Sequence, residues 1–229
     1  MLKKKIILLW LISLKLLISQ EQKPLNNPIY DKQAYHFGFT LGLSNTKFQI
    51  VHSELFSTQN NFDQILSQHE PGFNVGIIMD LKISKNINLR VTPSFNFSDQ
   101  KIDFKKNNIT NSQPKSNSEV SNFELPLYLK YRSDRINNGR AYLLFGGNFM
   151  LNMSSVEKLQ VVDNLKFKTT NYSIDVGFGI DLYFTYFKFS PEIKYCYGLR
   201  NMLVSKENSF SQSINKLYTR GLLISLTFE

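Results

Sequence analysis

From residue 35 onward the chain repeats one pattern about eight times: apolar side chains at every second position, with polar residues and glycines between them. Period two is the spacing of a β-strand whose two faces meet different surroundings. The clearest run sets Tyr172, Ile174, Val176, Phe178, Ile180 and Leu182 against Ser173, Asp175, Gly177, Gly179 and Asp181. The next sets Phe187, Phe189, Ile193, Tyr195 and Tyr197 against Lys188, Ser190, Glu192 and Lys194. Runs of the same kind occupy residues 37–43, 73–81, 87–97, 123–131, 143–151 and 218–228.

Their connections alternate in length. Three are tight: Ser84, Lys85 and Asn86; Asn137, Asn138 and Gly139; Thr185 and Tyr186. Such strings suit hairpin turns. Four are long and polar, roughly residues 45–71, 99–119, 152–169 and 200–215. An even strand number with short turns on one side and long loops on the other is the plan of a bacterial outer-membrane barrel. The expected fold is therefore all-β: an eight-stranded antiparallel up-and-down transmembrane β-barrel with four long outer loops and three short periplasmic turns.

Alternation alone also fits a soluble lipocalin-like barrel, which turns the apolar face inward. Three features favour the membrane. The polar face is rich in glycine and in charges of both signs, Arg90, Glu124, Lys130, Asp175, Asp181, Lys188, Glu192 and Lys194. These suit a narrow lumen filled by mutually paired ions. Aromatics gather at strand ends, with Tyr183, Phe184, Tyr186 and Phe187 around one turn and Tyr131 and Tyr197 elsewhere, as interfacial girdles do. Finally, Phe228 sits near the end of the last run like the aromatic of an outer-membrane insertion signal, although Glu229 follows it. Pro93, Pro126 and Pro191 interrupt three runs, and each removes a ladder donor, so each is expected at a bulge or near a rim.

The first residues are of another kind. Lys3, Lys4 and Lys5 precede the apolar stretch Ile6–Leu14, and the polar residues 20–24 follow, the layout of a secretory signal peptide. The expected organisation is a signal peptide over 1–20, a short periplasmic segment over 21–34 and the barrel over 35–229. A formal charge of +9 includes four lysines of the first segment; the remainder carries twenty-three basic and eighteen acidic residues, or +5. One cysteine, Cys196, excludes an internal disulfide and a cysteine-based zinc site, and on the polar face it reads as a small lumen filler. No glycine-rich phosphate loop, dinucleotide fingerprint or HExxH string is present, and the lysines form no basic stripe for nucleic acid. No cofactor or metal is expected. The only candidates for a base beside a nucleophile or water are His52 with Ser53 and Glu54, and His69 with Glu70. A catalytic role is not expected from neighbours on one loop.

The strings Pro71–Ile77, Glu124–Arg132, Arg140–Gly147 and Phe187–Tyr195, with Gly198, Leu199, Arg200 and Asn201, resemble the PorT-type outer-membrane β-barrel proteins of Bacteroidetes. The Glu-Leu-Pro and Tyr-Leu-Leu-x-Gly-Gly elements are shared with a wider family of small barrels; the Ser-Pro-Glu-Ile-Lys-Tyr element narrows the likeness to PorT. That resemblance implies a non-enzymatic part in the type IX protein secretion system, which supports gliding motility in some members. It implies other secretion-system proteins as partners, beside outer-membrane lipid and lipopolysaccharide, and no small-molecule substrate. A general small barrel for adhesion or envelope stability is the alternative, followed by a lipid-modifying barrel enzyme or the soluble carrier. The expected location is the outer membrane.

Overall fold

A computed structural model describes residues 24–52, 64–105, 115–153, 167–204 and 214–229, so the expected signal segment lies outside the described residues. A short 3-10 turn, Tyr30–Lys32, precedes β1 (Tyr35–His52), β2 (Gln64–Ser67), β3 (Glu70–Lys82), β4 (Ile87–Val91), β5 (Ser94–Lys105), β6 (Lys115–Arg132), β7 (Gly139–Asn152), β8 (Thr170–Tyr183), β9 (Lys188–Gly198) and β10 (Ile214–Phe228). Every pairing is antiparallel, and each barrel strand pairs with its sequence neighbour. β1 then pairs with β10 from Phe39 opposite Phe228 to Val51 opposite Lys216, which closes the cylinder. β4 and β5 form one barrel strand in two pieces, so the ring holds eight strands. The short β2 pairs with the far end of β5.

The two faces settle the orientation of the alternation. Val176 is 54% exposed on the outside, and phenylalanines and leucines of all eight strands share that surface, whereas Lys130 and Asp181 inside are 0% exposed. A water-soluble protein would have these reversed. The soluble lipocalin-like alternative is thereby overturned. On β8 the apolar belt runs from Tyr172 to Leu182. Tilted as barrel strands are, that run covers about 25 Å, the height of an outer-membrane hydrocarbon layer.

The three short turns close as expected. Ser84 N–H donates to Ile87 O at 2.9 Å, and Phe184 N–H to Phe187 O at 2.9 Å. Asn137 takes a φ of 52°, a left-handed conformation that asparagine tolerates, inside the Ile136 to Gly139 bridge. Two of the four long connections fall where expected, between β7 and β8 and between β9 and β10; the other two are shorter than the alternation suggests, because β1, β5 and β6 run on beyond the belt. In those extensions polar residues take over both parities, so the strands leave no period-two trace in the sequence.

The prolines behave unequally. Pro93 breaks the ladder and separates β4 from β5. Pro126 lies inside β6, away from a rim; its carbonyl accepts from Thr92 N–H at 3.2 Å, so its missing donor faces the break at Pro93. One irregularity thus absorbs both. Pro191 lies inside β9 without a bulge: the ladder with β8 stops at Gly179 opposite Glu192 and resumes at Leu182 opposite Phe189 in unchanged register. The aromatic expectation also needs one correction. Phe184, Phe187 and Tyr131 are exposed at the turn end, Tyr186 stands clear of the surface and Tyr197 marks the opposite boundary, but Tyr183 is buried in the lumen. It shares the parity of Asp181, so the strand aims it inward.

Val176 lies near mid-belt, and the substitution Val176→Arg should destabilise the refolded barrel in lipid by about 2–4 kcal/mol, read by urea unfolding. Tyr186→Arg, at the solvated turn, should leave the midpoint unchanged.

Candidate functional site in the barrel lumen

Because the lipid face must be apolar, every charge that the strands carry at membrane depth points inward, into a space too narrow for bulk water. The periplasmic half of that space is occupied by a closed ring of alternating charges. Arg90 of β4 reaches Glu229 at 2.8 Å; Glu229 reaches Lys188 of β9 at 2.8 Å; Lys188 lies 3.7 Å from Asp181 of β8. Asp181 holds Lys130 of β6 at 3.0 Å, Lys130 lies 3.9 Å from Asp80 of β3, and Asp80 returns to Arg90 at 2.8 Å. Glu192 branches from Arg90 at 2.5 Å and carries Lys194 at 2.9 Å. Four cations and four anions balance, and the remaining acceptor positions are filled, Asn88 donating to Asp80 at 2.5 Å and Ser190 to Asp181 at 2.7 Å.

The other two strands join through aromatic groups. Tyr142 of β7 donates to Glu192 Oε1 at 2.6 Å, and the Lys130 Nζ sits 3.8 Å from its ring centre. From β1, His36 stacks on Tyr30 at 3.8 Å and its Nε2 donates to the Tyr30 carbonyl at 2.8 Å. Tyr30 in turn accepts from Lys188 and donates to Glu229, both at 2.6 Å. Burial raises its phenol far above the ordinary range, with Lys188 opposing. It therefore stays a neutral donor.

Two tyrosines lie across the wall because the residue opposite each is glycine. Tyr142 pairs in register with Gly179 and Tyr128 with Gly146. A Cβ at Gly179 would overlap the Tyr142 ring and hydroxyl, and one at Gly146 would overlap the Leu127 carbonyl and crowd Tyr128.

Beneath the ring the segment before β1 closes the periplasmic mouth. Asp31 receives Arg140 at 3.0 Å and Arg135 at 3.4 Å, and Lys82 Nζ donates to its carbonyl at 2.5 Å. Asn26 N–H donates to Asn138 Oδ1 at 2.8 Å, and the Arg135 guanidinium lies 3.7 Å from the Tyr183 ring centre. At the exposed turns, the hydrogen bond from Lys85 lowers the pKa of the Asp134 carboxyl at 2.8 Å.

All eight charges expected in the lumen are buried there, but they do not act alike. Arg90, Lys130, Asp181, Lys188, Glu192 and Lys194 belong to the ring and its branch. Glu124 and Asp175 stand above it on neutral partners: Asn96 donates to Glu124 at 2.8 Å, and Tyr128 and Ser173 donate to Asp175 at 2.8 and 2.7 Å. Among the described residues neither carboxylate has a cation within 4.0 Å. Beside them the lumen leaves a small cavity of about 40 Å³, room for ordered water only, lined by Ser44, Thr46, Asn96, Ser98, Glu124, Cys196 and Gly221 among others. The gap lies where several inward residues are short: Ser44, Ser98 and Gly221. Asp80 and Glu229 were absent from the expected network, although each shares parity with lumenal neighbours on its strand.

His69 is exposed and its Nδ1 contacts Asn45 Oδ1 at 3.0 Å, whereas the adjacent Glu70 is buried on the lumenal side. His52 ends β1, and Ser53 and Glu54 lie outside the described residues. No cluster of three or more histidine, cysteine, aspartate or glutamate side chains able to hold a metal occurs among the described residues.

Arg90→Met leaves Asp80, Glu192 and Glu229 with one cation fewer and should cost about 3–5 kcal/mol in urea unfolding of the refolded barrel. Arg90→Lys should recover only part, since an ammonium cannot fork to several carboxylates.

Among solved structures, OprG of Pseudomonas aeruginosa is similar at 11% identity and a TM-score of 0.46, covering 83% of this chain and 94% of its own. Neisserial surface protein A is similar at 11% identity and 0.42, covering 85% and 98%, and Ail of Yersinia pestis at 12% and 0.39, covering 86% and 99%. No curated protein matches the chain in sequence. The model of the outer membrane protein beta-barrel domain matches residues 18–204, most of the chain. With an apolar belt outside and paired ions within, the protein belongs to the outer-membrane β-barrel domain family and resides in the outer membrane.

Proposed function

We propose that the protein is a non-enzymatic component of the outer membrane that works through contacts made by its loops and rims, and that the system it serves is type IX protein secretion. The observation that carries the first part is the closed charge ring. It links β3, β4, β6, β8, β9 and Glu229 across the lumen, with the segment before β1 beneath it, so a solute entering from outside meets a neutral, fully paired barrier. Breaking that barrier would expose several unpaired buried ions at once. Transport through the barrel is therefore unfavourable, and surface contact is what remains.

The assignment to secretion rests on the PorT-like strings. Their residues occupy β3, β6, β7 and β9 and include Lys130, Lys188, Glu192 and Lys194 of the charge network. A general role in adhesion or envelope stability is favoured by a different observation: β1, β5 and β6 extend beyond the belt and would present their loops on a stiff platform.

Purified protein in planar bilayers should show no steady ion conductance; stable open channels would overturn the contact-only reading. Deletion of the gene should abolish surface display of exported proteins while leaving outer-membrane integrity intact. Normal display together with weakened adhesion or detergent resistance would transfer the function to the general role.

A further inference from the structure

We infer that the outer end of the β8 to β1 sector is a binding site for a phosphate-bearing glycolipid of the outer leaflet. Arg220 has the outward parity of Leu222 and Ile224 and stands where the belt ends, folded against its neighbours so that only 7% of it is exposed. Its guanidinium carbon lies 3.3 Å from the Tyr197 ring centre, and Nη1 donates to the carbonyls of Gly198 at 2.6 Å and Thr219 at 3.1 Å. Among the described residues its Nε and Nη2 donors have no protein acceptor. Across the closing seam its register partner is Lys47, exposed on the outward face of β1. On the other side Arg200 is tied to Thr170 and faces the Tyr172 ring at 5.9 Å. Three cations thus line one arc at the level where the hydrocarbon gives way to headgroups.

Among the described residues these cations lack an anion. At the opposite, periplasmic end Lys85 is paired with Asp134 at 2.8 Å, and Arg135 and Arg140 with Asp31. On the outer arc no carboxylate lies within salt-bridge distance of Arg220, Arg200 or Lys47 among the described residues. A guanidinium held by stacking and carbonyls, with its remaining donors free, is pre-organised for a phosphate, and the neighbouring exposed Leu222 and Tyr195 suit acyl chains below it. The phosphorylated sugar of lipid A supplies both parts. Free phosphate supplies only the first.

The test uses the intact protein extracted in mild detergent, with native mass spectrometry reading its occupancy by phosphorylated lipid A, by the same lipid A dephosphorylated, and by inorganic phosphate. Phosphorylated lipid A should bind, and Arg220→Gln combined with Lys47→Gln should weaken it by about tenfold, the loss of charge-assisted hydrogen bonds, while the heat-modifiable gel shift is kept. If the Arg220 variant fails to insert, Lys47→Gln with Arg200→Gln provides the same reading. Lys85→Gln at the periplasmic turn should change nothing. Equal binding of dephosphorylated lipid A, an unchanged affinity in both double variants, or an equal loss on Lys85→Gln would overturn the site. Full competition by inorganic phosphate at equal concentration would overturn the lipid and leave a free-anion site.

Discussion

Mutual neutralisation of buried charge is the constraint on which the rest of this barrel depends. Lipid outside demands an apolar surface, so each strand sends its polar half into a space with almost no water, where an unpaired ion is costly and a paired one is tolerable. Arg90, Lys130, Lys188 and Lys194 face Asp80, Asp181, Glu192 and Glu229, drawn from elements that are far apart in the chain. No two adjacent strands can satisfy this set alone. The network is complete only when the cylinder is closed, which couples the seam between β1 and β10 to the centre of the lumen through Glu229.

Much of this was legible in the sequence because strand parity is a strict rule: once Phe178 faces lipid, Asp181 must face inward. The eight segments, the three turns and the inward charges follow from that rule and little else. Parity would also have found Asp80, in step with Asn74, and Glu229, in step with Ser225 and Thr227, had the pattern been carried past Phe228. It would have moved Tyr183 from the girdle to the lumen. What parity cannot see is the partner. Glu124 and Asp175 look no different from Asp181 in sequence, yet the groups that hydrogen-bond them are Asn96, Tyr128 and Ser173 rather than lysines. Tyr30, Asp31 and Arg135 lie outside any periodic run, so their role at the periplasmic mouth depends on tertiary packing alone.

The two ends of the cylinder differ in a way that separates structure from use. The periplasmic half is dense, closed and internally paired. The outer half has short inward residues, a small cavity and outward cations without a carboxylate partner among the described residues. Stability is concentrated where the interior is full; the groups available to other molecules lie at the opposite end.

The tyrosines of the lumen have a consequence for how such a chain can change over evolutionary time. Tyr142 lies over Gly179, and Tyr128 over Gly146, each on the neighbouring strand, so the volume of one residue is borrowed from the absence of a side chain at the other. Neither member of a pair can drift independently. A larger residue at Gly179 becomes tolerable only after Tyr142 has shrunk, and a shrunken Tyr142 uncovers Lys130 and releases Glu192. Related chains should therefore keep these pairs as units, or exchange both members together with the charges they cover.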